Sequence, residues 1–184
     1  MNRLRLLIPS VALAALTATG CFLVTGQFIV SVALGNLSAV NGLSSAGKYI
    51  DLAAESSDYK DHKSKLKDIP DIAVLGTIKN NLPAPVSGEV WLVPNPSGST
   101  LLADKTAVQA AGGIKVWSLA LAANETRNID WDTSAGLFTS AGKAALTSDI
   151  KGDGIFALYV FGSTATYDLT ITNGQIVVVI SAGP

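Results

Sequence analysis

One cysteine, one histidine and one methionine occur in the 184 residues. A lone cysteine excludes an intrachain disulfide, and one histidine with one cysteine cannot supply the nitrogen and sulfur shell of an ordinary zinc site. Charge is sparse too: only 15% of residues are charged, and none lies between Arg5 and Lys48. Beyond residue 21 the chain carries eleven basic and fourteen acidic residues, a net charge of −3. These charges are scattered, so there is no footprint for nucleic acid and no polybasic patch for anionic lipid. No glycine fingerprint for phosphate, no internal repeat and no long low-complexity linker is present. The length corresponds to one domain able to bury its own core.

What is there begins with the leader. Arg3 and Arg5 precede an apolar run over residues 6–18, broken only by Pro9, Ser10 and Thr17. A positive start followed by 13 mostly apolar residues has the length of a secretory signal and is too short to span a bilayer alone. Small residues then lead through Ala18, Thr19 and Gly20 into Cys21. This ending resembles the lipobox of bacterial lipoproteins, although Ala18 stands where leucine is commonest. The resemblance implies cleavage before Cys21, a lipid on its thiol and an acylated amino group. Several acyl chains would anchor the protein stably, since each buried methylene contributes about 0.8 kcal/mol. Phe22 follows the cysteine, rather than the aspartate that retains lipoproteins at the inner membrane of enteric bacteria. That resemblance favours the outer membrane, at its periplasmic face or at the cell surface.

Residues 22–34 are apolar where lipoproteins usually have a polar tether. Together with the leader they could form an uncleaved membrane helix. Gly26 and the β-branched residues Ile29, Val30 and Val32 favour a strand instead, which would place the domain close to the membrane.

Downstream, residues 35–47 read as a loop and 48–52 as a short strand. A charged stretch over 56–67 predicts a short helix capped by Ser56 or Ser57, with Tyr59, Lys63, Leu66 and Ile69 on one face and Pro70 ending it. The period then changes to two. Strands are expected over 71–79, with Ile72, Val74 and Ile78 on one face, and over 88–93, 113–121 and 126–131, with a short edge strand at 100–103. Residues 133–147 predict a second helix, with Asp132 or Thr133 as its cap. The apolar run 155–161 reads as a central strand, and 167–172 alternates cleanly. Asn173-Gly174 then signals either a hairpin or a bulge inside one long closing strand. The expected fold is mainly β: an antiparallel, immunoglobulin-like β-sandwich of about seven to nine strands with two short peripheral helices, near 56–67 and 133–147. A signal helix over residues 1–20 precedes one domain over 21–184.

Residues 71–81, a strand running into an asparagine turn, and 121–126, a two-strand corner, resemble small immunoglobulin-like domains of bacterial surface lipoproteins. More remotely they resemble type 2 late-embryogenesis-abundant domains. Neither resemblance brings catalytic residues to transfer.

Chemistry is hard to find. His62 lies among lysines on the expected helix, where a histidine reads as plain surface rather than an oriented base. Residues 149–154 echo a calcium loop, but Lys151 stands where an oxygen ligand is needed and Val160 where the bidentate glutamate belongs. Asp58, Asp61, Asp68 and Asp71 interleave with lysines and read as a solvated face. Trp91, Trp117 and Trp131 could line a carbohydrate platform, yet in sandwich strands they more often serve the core. Asn36 and Asn124 begin formal glycosylation sequons, which matter only in a eukaryotic secretory pathway. The expectation is therefore no catalytic residue, metal or cofactor, with lipidation at Cys21. The protein would be a non-enzymatic, lipid-anchored envelope protein acting through contact with other envelope proteins. The alternative is a filament or pilus-like subunit, in which residues 22–34 or 175–180 add to a like subunit's sheet edge.

Overall fold

The structure, a computed structural model, describes residues 26–41 and 46–183. The expected leader, Cys21 and the first residues of the 22–34 stretch lie outside them. Eight strands and five α-helices follow in order: β1 (Gln27–Val40), β2 (Ala46–Asp51), α1 (Leu52–Glu55), α2 (Ser57–His62), β3 (Leu66–Asn80), β4 (Val86–Pro94), α3 (Lys105–Ala110), β5 (Ile114–Leu121), β6 (Thr126–Ile129), α4 (Trp131–Leu137), α5 (Ser140–Lys151), β7 (Ile155–Gly162) and β8 (Asp168–Ala182). They form two four-stranded sheets with orders β1-β8-β3-β6 and β2-β7-β4-β5, antiparallel throughout. The protein is a mainly β antiparallel sandwich.

Alternation explains the packing. Val30 and Val32 of β1, Ile72, Val74 and Ile78 of β3, and Ile176, Val178 and Ile180 of β8 point between the sheets. The second sheet answers with Val90 and Leu92 of β4 and Phe156, Leu158 and Val160 of β7. Each such side chain, fully buried, contributes roughly 1.5–3 kcal/mol. β7 is central and apolar on both faces. Its outward residues Ala157, Tyr159 and Phe161 join Val93 and Val108 in a second cluster, with Trp91, Leu101 and Leu102 packed against it. Val108 comes from α3, so the segment carrying that helix covers the outer face of this sheet.

Several boundaries differ from expectation, each for a local reason. β1 continues past Gly35 to Val40 instead of opening into a loop at 35, because a bulge absorbs the glycine. The first helix ends at His62, with a 3-10 turn over Lys63–Lys65, and β3 begins at Leu66. Leu66 and Ile69 therefore belong to the strand, and Pro70, which cannot donate, sits at a register slip between Asp68 and Asp71. Residues 100–103 form no strand; Asp104, accepting from Ala107 N–H at 2.8 Å, starts α3. α1 was likewise unforeseen, and Asp51 caps it.

The helix expected over 133–147 is two helices. Asp130 caps α4 and so turns Trp131 out of the strand. The chain is extended again at Phe138, which bridges to Trp117 of β5. Thr139 then bonds the β5 carbonyl of Lys115 through its hydroxyl and caps α5 through Gly142 N–H, both at 2.9 Å.

α4 and α5 occupy a defined place. β6 pairs with Gly76–Lys79 of β3, which among the described residues leaves the first half of β3 without a strand on that side. α4 packs there, and Val74 N–H donates to the buried Ser134 hydroxyl at 2.8 Å, in place of a ladder bond. α5 lies against β5 so closely that a Cβ on Gly142 would come 2.4 Å from Val116 Cα.

Candidate functional site

The most unusual geometry lies where three neighbouring strands slip register at one level. β1 slips against β8 around Gly35, and β3 slips against β8 between Leu75 and Thr77. Asn173 (φ 53°), Gly35 (φ 74°) and Gly76 (φ 142°) take left-handed backbone there. Asn173-Gly174 is thus a bulge inside the single strand β8, not a hairpin turn. Space is tight at the centre: a Cβ on Gly174 would meet Gly35 O at 3.1 Å and Leu34 Cβ at 3.3 Å. Aligned bulges of this kind bend a sheet and redirect side chains, and they recur beside binding sites.

On the outer face the bulges form a shallow groove of about 410 Å³ lined by Ala33, Gly35, Asn36, Asn173, Gly174 and Gln175. Its polar groups are carboxamides. Asn36 Oδ1 accepts from Asn173 N–H at 3.0 Å, and Gln175 Oε1 accepts from the Ser31 hydroxyl at 3.1 Å. These bonds hold both oxygens, while the amide nitrogens of Asn36, Asn173 and Gln175 have no partner among the described residues. No charged side chain lines the groove.

Beneath it lies an apolar cavity of about 30 Å³ bounded by all eight strands, with Leu37, Val90, Trp117, Ile129 and Val160 in its wall. Gly174 borders both spaces, so one layer of backbone separates them. The Trp117 indole N–H is buried without a partner, in a lining suited to apolar contents. At the edge of this cavity Lys48 donates to Ala33 O and pairs with Glu55 at 3.1 Å.

The residues singled out from sequence do not converge. His62 is exposed, packs tilted against Phe28 at 5.2 Å between ring centroids, and contacts Asp58 O through Nδ1 at 2.9 Å. The three tryptophans separate. Trp117 is in the core, and Trp91 donates to Glu89 on the outer face of the second sheet. Trp131 donates to Asp71 Oδ2 at 2.9 Å. They form no common platform. Asp68 pairs with Lys151 at 3.1 Å, and Asp71 is also met by Lys143 at 3.4 Å. Burial acts to raise the Asp71 carboxyl, but the bonds from Ile72 N–H, Trp131 and Lys143 outweigh it and hold the group below its ordinary range. Glu89 behaves alike: burial is more than offset by Lys105, Trp91 and Lys115. Lys105 reaches it at 2.6 Å and also sits 5.4 Å above the Trp91 ring.

The 149–154 turn holds no calcium-type shell. Among the described residues no group of three or more His, Cys, Asp or Glu side chains could hold a metal. The Asp149 backbone carbonyl accepts from Gly152 and Gly154 N–H, closing α5. Its carboxyl oxygen Oδ2 is buried without a partner, and burial, then Asp153, pushes the group up to about 6. Beside it Tyr59 donates to Ile150 O at 2.7 Å and is pushed up to about 12, chiefly by burial.

No protein-family model and no curated protein sequence matches the chain. Among solved structures, a latent aurone synthase (polyphenol oxidase) matches over 86% of this chain and 26% of its own, at 12% identity and a TM-score of 0.33. This chain thus spans about a quarter of that protein. Desmodium yellow mottle tymovirus matches over 100% of this chain and 98% of its own, at 15% identity and a TM-score of 0.28. At such TM-scores neither likeness bears on how this chain acts.

Among the described residues no helix is long and apolar enough to cross a membrane. The groove was missed in the sequence because Asn36 and Asn173 read there as local turn signals. Only the pairing of β1 with β8 brings them together.

Proposed function

We propose that this is a non-enzymatic, lipid-anchored protein of the cell envelope, exported and held by Cys21, with the outer membrane favoured. It works by contact rather than turnover. The observation that carries the reading is the lipobox-like ending at Cys21 together with the place of Gly26, five residues on, bonded into the sheet. Gly26 O already accepts from Ala182 N–H. Five residues of extended chain reach no further than about 18 Å, so a lipid at Cys21 would hold the sandwich against the headgroups. The contact role draws on the titratable side chains: His62, Asp71 and Glu89 are spent on packing and internal bonds.

The test is the intact mass of the membrane-extracted protein beside that of Cys21→Ser. An N-terminal peptide starting at Cys21 with its acyl chains, lost in the variant, is expected. An unmodified chain starting at Met1 would sink the reading.

A second reading, assembly into filaments by strand addition, draws on β1. This is a 14-residue edge strand with no charged residue and no proline, the kind of edge that recruits another strand. Residues 175–180, the other expected donor, already pair with β1 and β3 on both sides. Oligomer ladders resistant to mild denaturant would favour this reading; a monomer in detergent would count against it.

A further inference from the structure

We infer that the groove over the aligned bulges binds a neutral, acetamido-bearing glycan chain. The inference rests on the reading of a contact protein but not on the lipid anchor. Three observations select the ligand. First, the residues lining the groove are uncharged, as are Ser31, Thr170 and Thr172 beside them, while the charges in the vicinity are already engaged, Lys48 by Ala33 O and Glu55 and Asp168 by Asn81. An ionic ligand would lose its hydration there with no counter-charge in return. Second, the polar groups on offer are mainly donors. The oxygens of Asn36 and Gln175 are held inside the protein, which leaves amide hydrogens facing outward. Such a surface calls for a ligand rich in neutral acceptors, and sugar hydroxyls and acetamido carbonyls supply them. Third, the groove is shallow, half its lining comes from the edge strand β1, and its volume of about 410 Å³ falls within the span of small-ligand sites, roughly 300–1,000 Å³. A chain can therefore lie across it without its ends being enclosed.

The bulges fix this arrangement. Left-handed backbone at Gly35 and Asn173 turns Asn36 and Asn173 onto the same surface as Gln175. In an unbroken β1 strict alternation would send Asn36 to the face opposite its exposed neighbour Gly35, and so away from Gln175.

The experiment uses the isotope-labelled full chain in detergent, titrated with the tetramer of β-1,4-linked N-acetylglucosamine while the side-chain amide signals are followed by NMR. Saturable shifts at Asn36, Asn173 and Gln175 are expected, unchanged between low and high salt because no charge takes part. Gln175→Glu keeps the acceptor for Ser31 and removes the donor. Asn173→Gly keeps the left-handed backbone and removes the side chain. Each is expected to weaken binding about tenfold, the equivalent of one hydrogen bond. Absent shifts, shifts untouched by both variants, or shifts abolished by salt would overturn the inference. So would shifts that follow protein concentration without sugar, since those report a second copy on this face. The mass of the Cys21 peptide is unaffected by any of these outcomes, so the anchor and the groove stand or fall separately.

Discussion

Replacing Asp149 by asparagine should stabilise the protein at neutral pH and do nothing at pH 4. The carboxyl sits at the end of α5 with Oδ2 buried and unpartnered, and burial with the nearby Asp153 pushes it up to about 6. The unfolded chain releases this proton near the ordinary aspartate value of 3.8. Between those two values the folded state binds more protons than the unfolded one, so stability falls as pH rises through the window. Full conversion of the shift gives a ceiling of about 3 kcal/mol. Asp149 is only half-buried, and solvent screening reduces the expected effect to about 1–2 kcal/mol. The carboxyls held below their ordinary range, Asp68, Asp71, Glu89, Glu125 and Asp130, act with the opposite sign and lose their contribution as pH falls. They are common to both proteins and cancel in the difference. Urea unfolding followed by tryptophan fluorescence, at half-unit steps from pH 4 to pH 8, measures the gap. It should open between pH 4 and 6 and then stay constant. A variant no more stable than the parent at pH 7.5, or a gap independent of pH, would refute the reasoning.

Two further substitutions probe the packing of the helices. Ser134→Ala removes the partner of Val74 N–H in a buried place, and leaving a buried donor unmade costs about 1–3 kcal/mol. The urea midpoint should drop accordingly, whereas an unchanged midpoint would mean that water or another group satisfies β3. Gly142→Ala sets two effects against each other. Alanine gains about 1 kcal/mol in a helix, but its Cβ would lie 2.4 Å from Val116 Cα, and overpacking of a tight crossing costs about 1–3 kcal/mol or more. The melting temperature should fall; a rise would show that α5 does not press on β5 as described.

Most of the sandwich was legible because half-buried strands print their alternation into the chain. Ile72, Val74 and Ile78, or Tyr167, Leu169 and Ile171, need no partner to be recognised, and the unbroken run of β7 marks a strand covered on both faces. What stayed hidden depends on contacts distant in sequence. Thr139 looks like an ordinary helical residue until the Lys115 carbonyl is beside it, so the break between α4 and α5 has no local signature. Trp131 has the composition of a strand end, but Asp130 caps a helix there. The groove is the extreme case. Its register slips belong to three strands at once, and Asn36 meets Asn173 only across 137 residues of sequence. Cys21 lies outside the described residues, and its role stays with the motif that suggested it.

The place of β8 has a consequence for the order of events during synthesis. It is the last of the described elements, yet it lies inside its sheet, with β1 on one side and β3 on the other. Gln27 finds its partner in Ser181, so the first described strand must wait for the last. Until β8 emerges, β1 has no neighbour in its sheet, and β3 has only the four pairs it makes with β6. The nascent chain therefore has little means of closing its core early, because loops this long must be shut before their contacts repay the entropy.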